Sequence, residues 1–316
     1  MESIVKWAGL AVTLSAVAAY GLFIQIDWPH RPLTEVDRQQ AQGDFIELDQ
    51  GRLHYRWDGP TEGPVVVMVH GFSTPLFIFE QNVAALADAG YRVLRYDHFG
   101  RGWSDRPRRA YSADFYDQTL LGLLDGLGLT QPVRLVGLSM GGLIASEFTA
   151  RHPDRVDRLF LFVPAGLDLE GARDGLAWTL LRWPVIGDTI WRFRWRRMLV
   201  SDPQYTADAA LPAGNRLAGD PTRQMQFRGY GPALLSTLRH IPMSGQDAVF
   251  QRLSRTGIPI LSVFGDADAT IALSSADKMA AHLPEADIRI VEQAGHGLNY
   301  QNHETVNPWL VDWARN

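Results

Sequence analysis

Ser139 lies in the segment Gly137-Leu138-Ser139-Met140-Gly141-Gly142, between an apolar, β-favouring run (Val133-Arg134-Leu135-Val136) and a stretch of helical composition. A serine in the middle of a strand or on a wet helix face needs no glycines around it. The spacing is that of G-x-S-x-G, in which a serine sits on a sharp strand-to-helix turn with its hydroxyl held clear of the sheet. Side chains two positions to either side would collide with neighbouring backbone, and glycine removes them. The following helix then aims free N–H groups at the reacting centre. These residues predict a nucleophile at Ser139 rather than an incidental serine in a glycine-rich turn.

A serine hydroxyl becomes a useful nucleophile only when a base takes its proton, and the base needs an acid to orient it. Among the histidines beyond Ser139, His296 stands between glycines in "VEQAGHGLN", in a loop after the last strand-like run. His240, His282 and His303 fall in an inserted segment, at a helix end and in a polar helical context. His70, His98 and His152 read as structural, bonded to nearby backbone. For the acid, "VFGDADATI" offers Asp266 and Asp268 in one loop. Asp266 directly follows Gly265 and is placed to cap a turn, whereas Asp268 lies further out. The residues by themselves leave the two open. With no cysteine in the chain, thiolate catalysis, disulfides and cysteine-bound metal are excluded. The serine chemistry calls for no metal or cofactor.

The elements that must position these groups alternate. Asp44–Leu48 and Arg52–Trp57 read as a hairpin, and Val65–His70 as a β-branched strand buried on both faces. A helix over about Phe79–Ala89 precedes the strand "YRVLRY"; a helix over Ser112–Leu127 precedes "VRLVG". The helix Met140–Arg151 leads to the strand Arg155–Val163. From Pro164 to about Gln246 this rhythm breaks, then resumes with the strand Pro259–Gly265, a helix near Leu273–His282, the strand "DIRIVE" and a helix over Glu304–Ala314. Strand and helix in alternation predict an α/β fold, a mostly parallel eight-stranded sheet with helices on both faces. The interruption predicts a helical cap inserted after the sixth strand. The expected division is 1–28, 29–163, the cap at 164–246, and 247–316.

The first segment differs from the rest. Trp7–Ile26 is twenty residues without a charge, a helix about 30 Å long and so about as long as a bilayer's hydrocarbon layer is thick. Trp7, Tyr20 and Trp28 lie near its ends, where aromatic rings favour the interface. The apolar run continues past the small residues of "SAVAAYG", so the expectation is an uncleaved single-pass anchor in contact with membrane lipid. The alternative is a cleaved signal that leaves a periplasmic or secreted enzyme. The net charge of −5 gives no footprint for nucleic acid. Within the cap, Trp191, Trp195 and Leu199 recur every four residues, flanked by Arg192, Arg194, Arg196 and Arg197. Two readings follow: this face meets lipid headgroups, or its tryptophans pack over the site while the arginines are solvated.

Five motifs in order, "HGF", "DHFGRGWSDRP", "GLSMGG", "GDAD" and "GH", give the chain from about Asp44 to Asn316 its resemblance to α/β-hydrolase-fold serine hydrolases. The resemblance implies that the acid is Asp268, at the fourth position of G-x-x-D. It also implies that the backbone N–H groups of Phe72 and Met140 form the oxyanion hole, and that Asp97 and Arg101 hold their loop together by hydrogen bonds. With the anchor and a tryptophan-rich cap, the chain is similar to membrane-anchored monoacylglycerol lipases and related carboxylesterases. The expected reaction is hydrolysis of a small-molecule ester, lipid-like in type, through an acyl-enzyme. Dehalogenases and epoxide hydrolases of this fold need a carboxylate where Ser139 stands. Carbon–carbon bond hydrolases keep the serine triad and remain an alternative, as does a non-catalytic ligand-sensing protein, which would lack part of the triad.

Overall fold

The computed structural model describes residues 2–26, 31–171, 176–200 and 221–315. Trp28, the side chain of Trp178 and residues 172–175 and 201–220 of the expected cap lie outside them.

Eight strands form one sheet: β1 (Asp44–Leu48), β2 (Gly51–Asp58), β3 (Val65–Val69), β4 (Arg92–Tyr96), β5 (Val133–Leu138), β6 (Val156–Phe162), β7 (Ile260–Gly265) and β8 (Asp287–Val291). Their spatial order is β1-β2-β4-β3-β5-β6-β7-β8. The hairpin pairs antiparallel and joins β4 antiparallel, while the other pairings are parallel. The helices are α1 (Glu2–Ile26), α2 (Glu35–Arg38), α3 (Glu80–Asp88), α4 (Ala113–Gly126), α5 (Met140–Arg151), α6 (Leu176–Arg182), α7 (Ile186–Val200), α8 (Tyr230–His240), α9 (Asp247–Leu253), α10 (Ser274–His282), α11 (Leu298–Gln301) and α12 (His303–Arg315).

Local chemistry accounts for the elements around the site. Val66, Val67, Met68 and Val69 of β3 are wholly buried, as a β-branched run covered on both faces must be. Ser112 caps α4, its side chain accepting from the Phe115 N–H. Helix α5 begins one residue after Ser139 and stops before His152-Pro153, where proline cannot continue it. From β3 the chain steps outward to β4 and then back across β3 to β5. The winding direction therefore reverses between β3 and β5. The loops leaving these two strands diverge, and a crevice opens at their carboxyl ends.

Between β6 and β7 the helices α6, α7 and α8 lie over that crevice. Trp191, Trp195 and Leu199 are each no more than 2% exposed and pack with Met225, Tyr230, Leu234 and Leu235, against Phe72. Trp191 donates from its indole nitrogen to the Gly231 carbonyl at 2.9 Å. This face of α7 is therefore covered by protein and is not available to lipid. Arg192, one of the expected cationic flanks, is also buried, its guanidinium 5.0 Å from the Phe23 ring centre. The exposed large apolar side chains here are instead Trp183, Val185, Ile186, Phe193 and Met198.

In α1, Val5–Phe23 is long and apolar enough to cross a membrane by length and composition, and none of it is buried in the protein. Its end meets α7: the Tyr20 hydroxyl lies 2.7 Å from Thr189 Oγ1, and the Phe23 ring is 5.5 Å from that of Phe193.

Candidate active site

Ser139 follows the last residue of β5 and precedes the first residue of α5 with φ 54° and ψ −120°. A side-chain-bearing residue is strained at such a positive φ. Four backbone bonds hold it there. Its N–H donates to the Phe162 carbonyl at 2.9 Å, and its own carbonyl accepts from Gly142, Leu143 and Ala165. The flanking glycines serve close approach. A Cβ on Gly141 would lie 2.1 Å from the Val69 carbonyl oxygen, and one on Gly137 would lie 2.6 Å from that of Gly141.

His296 follows β8, in the loop that leads to α11. Its Nε2 is 2.9 Å from Ser139 Oγ, and its Nδ1 is 2.8 Å from Asp268 Oδ2. A carboxylate offers only acceptors, so Nδ1–H donates to Asp268 and the bare Nε2 accepts from the serine hydroxyl. The other carboxylate oxygen of Asp268 accepts from the N–H groups of Thr270 and Ile271 at 2.7 and 3.0 Å. These bonds fix the direction in which Oδ2 points. The Asp268 side chain is 1% exposed and that of His296 9%. Asp266 is exposed and turned away, its Oδ1 accepting from the Gln293 N–H at 2.6 Å. Of the two carboxylates that the loop offers, Asp268 meets the imidazole and Asp266 ties β7's loop to β8's.

Phe72 and Met140 both line the cavity at Ser139, together with Leu138, Leu169, Leu199 and Ile271. Met140 opens α5, where N–H groups have no acceptor within the helix. The Phe72 loop is clamped from behind. His98 donates its backbone N–H to His70 Nε2 at 2.9 Å, which leaves His70 Nδ1–H to donate to the Gly71 carbonyl at 2.9 Å. Arg101, wholly buried, donates to the Phe72 carbonyl at 2.9 Å and to Thr237 of α8 at 2.9 Å. Burial, reinforced by the Arg101 charge, pushes His98 down to about 3. Burial first, and then the neighbouring Arg101 charge, hold His70 well below the usual imidazole range. Both rings therefore stay neutral, and His70 must be so for its Nε2 to accept from the His98 N–H.

Asp97 accepts from His54 Nδ1 at 2.7 Å and from the N–H groups of Leu76 and Trp103. Burial alone would raise this carboxyl, but the His54 charge and these hydrogen bonds outweigh it and hold it low. Among the described residues the remaining histidines are bound elsewhere: His152 to Asp117, His282 to Asp247, His240 to the Ser236 carbonyl and His303 to the Tyr300 carbonyl.

The cavity has a volume of about 160 Å³. Sequence reasoning did not find Met198, Leu238 and Met243, which also line it. They come from α7, α8 and the loop after α8, and no local pattern sets them apart from ordinary core residues. Among the described residues, no group of three or more carboxylate and imidazole side chains is arranged to hold a metal ion.

A sheet wound in this order, with a serine on the turn after β5 and a histidine after β8, defines the α/β-hydrolase class. The family model for the alpha/beta hydrolase fold matches residues 64–302, and the chain belongs to that family. It is 28% identical over 303 residues to a 2-hydroxy-6-oxononadienedioate/2-hydroxy-6-oxononatrienedioate hydrolase of Burkholderia vietnamiensis, covering 89% of this chain and 99% of the relative. Among solved structures it resembles an esterase of Exiguobacterium antarcticum, with TM-score 0.71 and 21% identity over 87% of this chain and all of that one. It also resembles the enol-lactonase of Burkholderia xenovorans LB400, with TM-score 0.69 and 24% identity over 86% of this chain and all of that one.

Proposed function

We propose that Ser139, His296 and Asp268 act as a catalytic triad that hydrolyses a small, uncharged carboxylic ester or lactone. The observation that carries this reading is the continuous relay of 2.9 and 2.8 Å from serine to imidazole to carboxylate, beside an apolar cavity. In the first step Ser139 Oγ attacks the carbonyl carbon while its proton passes to His296 Nε2, and Asp268 stabilises the imidazolium. The N–H groups of Phe72 and Met140 bind the oxyanion. The tetrahedral adduct collapses, the alkoxide leaves with the proton from His296, and an acyl-serine remains. Water, deprotonated by the same imidazole, attacks that ester, and the carboxylic acid departs as Ser139 is reprotonated.

The relatives support a second reading better than they support an ester. The named substrate of the Burkholderia vietnamiensis relative contains no ester, so its hydrolysis breaks a carbon–carbon bond beside a ketone. The same triad serves such a step, with a carbanion as the leaving group. What favours the ester here is charge. Among the described residues lining the Ser139 cavity there is no lysine or arginine, and a dioate brings two carboxylates. An unpaired buried carboxylate costs about 3 kcal/mol, roughly a hundredfold in kcat/KM. p-Nitrophenyl butyrate is therefore expected to be turned over with kcat/KM about a hundredfold above that of 2-hydroxy-6-oxononadienedioate, both followed by absorbance. The reverse ratio would establish the carbon–carbon reading in its place. The monoacylglycerol-type substrate rests on the resemblance and the apolar lining, and no relative described above carries a lipid substrate in its name.

The anchoring role of α1 belongs to the same proposal. Its support is the unburied apolar span and the contacts that Tyr20 and Phe23 make with α7. Both residues lie past the small-residue stretch in which a signal would be cut, or at its edge. Full-length protein is expected to stay with the membrane pellet after a carbonate wash and to keep its N-terminal sequence. Release as a shortened soluble chain would show a signal in place of an anchor.

A further inference from the structure

A second, larger chamber of about 650 Å³ adjoins the Ser139 cavity, between α6, α8 and the loop after β6. Leu169, Leu238 and Met243 line both spaces and so form the partition between them. The Ser139 cavity, at about 160 Å³, is the size of one that holds a single benzene ring. The chamber falls within the range of ordinary ligand pockets. We propose that it is a subsite for the far end of an extended, uncharged acyl chain, reached from Ser139 past the side chain of Met243. This deepens the ester reading above and rests on it.

Three observations carry the assignment. Two members of the partition are fixed. Leu169 is bridged to Ile271, and the neighbouring Glu170 N–H donates to the Thr270 carbonyl, so this wall is tied to the loop that carries Asp268. Leu238 follows Thr237, which Arg101 holds at 2.9 Å. Met243 differs: it is half-buried, lies in a loop and has an unbranched thioether with three rotatable bonds, the side chain best able to move aside for a chain.

The chamber's charges are also largely spent on the protein. Asp168 is bound by Ser274 at 2.7 Å and Lys278 at 2.6 Å. Arg239 is bound to Asp188 at 3.0 Å and to the Leu181 carbonyl at 2.9 Å. Beside these charges the chamber is lined by Leu167, Leu181, Leu238 and Ile241 together with the hydroxyls of Thr179 and Ser244. A chain of methylenes fits along these four apolar side chains. Arg182, exposed on the same chamber, is the group that would make the opposite case.

The test is a series of p-nitrophenyl esters from acetate to dodecanoate, run on the full chain and on Thr179→Trp and Ser244→Trp. Both positions line the chamber and not the Ser139 cavity, and neither is buried. Each variant is expected to keep acetate turnover and to lose at least about tenfold in kcat/KM for decanoate, the scale of discrimination that apolar pockets reach. Met243→Ala should move the other way and raise decanoate relative to acetate. Length profiles that superimpose on the unsubstituted protein in both tryptophan variants would overturn the subsite, as would an equal loss at every length. A preference for an acyl chain ending in carboxylate would overturn its uncharged character and point to Arg182. The two levels separate cleanly. Acetate turnover with an unshifted length profile removes the chamber alone, whereas no ester turnover in the unsubstituted protein removes the ester reading and the chamber with it.

Discussion

Ser139→Ala is expected to lower kcat for p-nitrophenyl esters by about 10³- to 10⁶-fold, the range found when a triad nucleophile is deleted while binding and oxyanion donors stay in place. The protein should remain folded. Alanine meets the same positive φ that serine already tolerates at this position, and the four backbone bonds that fix the turn do not involve the hydroxyl. Removing the hydroxyl breaks its 2.9 Å bond to His296, but Asp268 continues to hold that ring. Far-ultraviolet circular dichroism and the melting temperature should therefore match the unsubstituted protein to within about 2 °C. A fluorophosphonate probe, which labels an activated serine, should mark the starting protein and neither Ser139→Ala nor His296→Ala. Turnover that survives the alanine would place the nucleophile elsewhere and end the triad proposal.

The second large effect is on folding. In Gly141→Ala the new methyl would lie 2.1 Å from the Val69 carbonyl oxygen and 2.5 Å from that of His70. Neither atom belongs to a flexible side chain. Val69 pairs with Gly137 in the β3–β5 register, and His70 is held by His98, so relief requires β3 and α5 to separate. We expect a loss of at least ~3 kcal/mol, the scale of severe overpacking, read from urea unfolding or from failure to recover soluble protein. Folded material should also be inactive, because α5 carries Met140 to the proposed oxyanion position. Gly128→Ala is the comparison. Its φ of +70° strains an alanine, but nothing lies within 4 Å, so its cost should stay near the 1–2 kcal/mol of the left-handed backbone alone. Equal stability in the two variants would refute the steric account of the motif.

These two outcomes concern groups that the amino-acid order already singled out, and the reason is locality. A strand buried on both faces, a tight turn and a helix start are decided within a dozen residues, so the turn after β5 and the helix Met140–Arg151 are legible from composition and glycine spacing. The order of strands and helices likewise announces a parallel sheet, because parallel neighbours need crossovers. Other features are not local. Asp266 and Asp268 share a loop, and spacing cannot say which faces an imidazole that follows another strand. The pairing of β7 with β8 decides it, bringing the Gln293 N–H to Asp266 and leaving Asp268 to His296.

The amphipathic face of α7 shows the same limit. Trp191, Trp195 and Leu199 would repeat every four residues whether they met lipid or protein, since both reward apolar burial. Only the placement of α8, with Tyr230, Leu234 and Leu235 opposite them, makes that face part of the core and leaves Phe193 outside. The partition of Leu169, Leu238 and Met243 is likewise assembled from three separate segments. Sequence by itself determined the fold, the candidate nucleophile and its candidate base, because hydrophobic period and steric exclusion act over short stretches. Tertiary structure decided which carboxylate reaches His296, which surface is covered and which side chains line the cavities, because those depend on distances between residues that the chain order does not constrain.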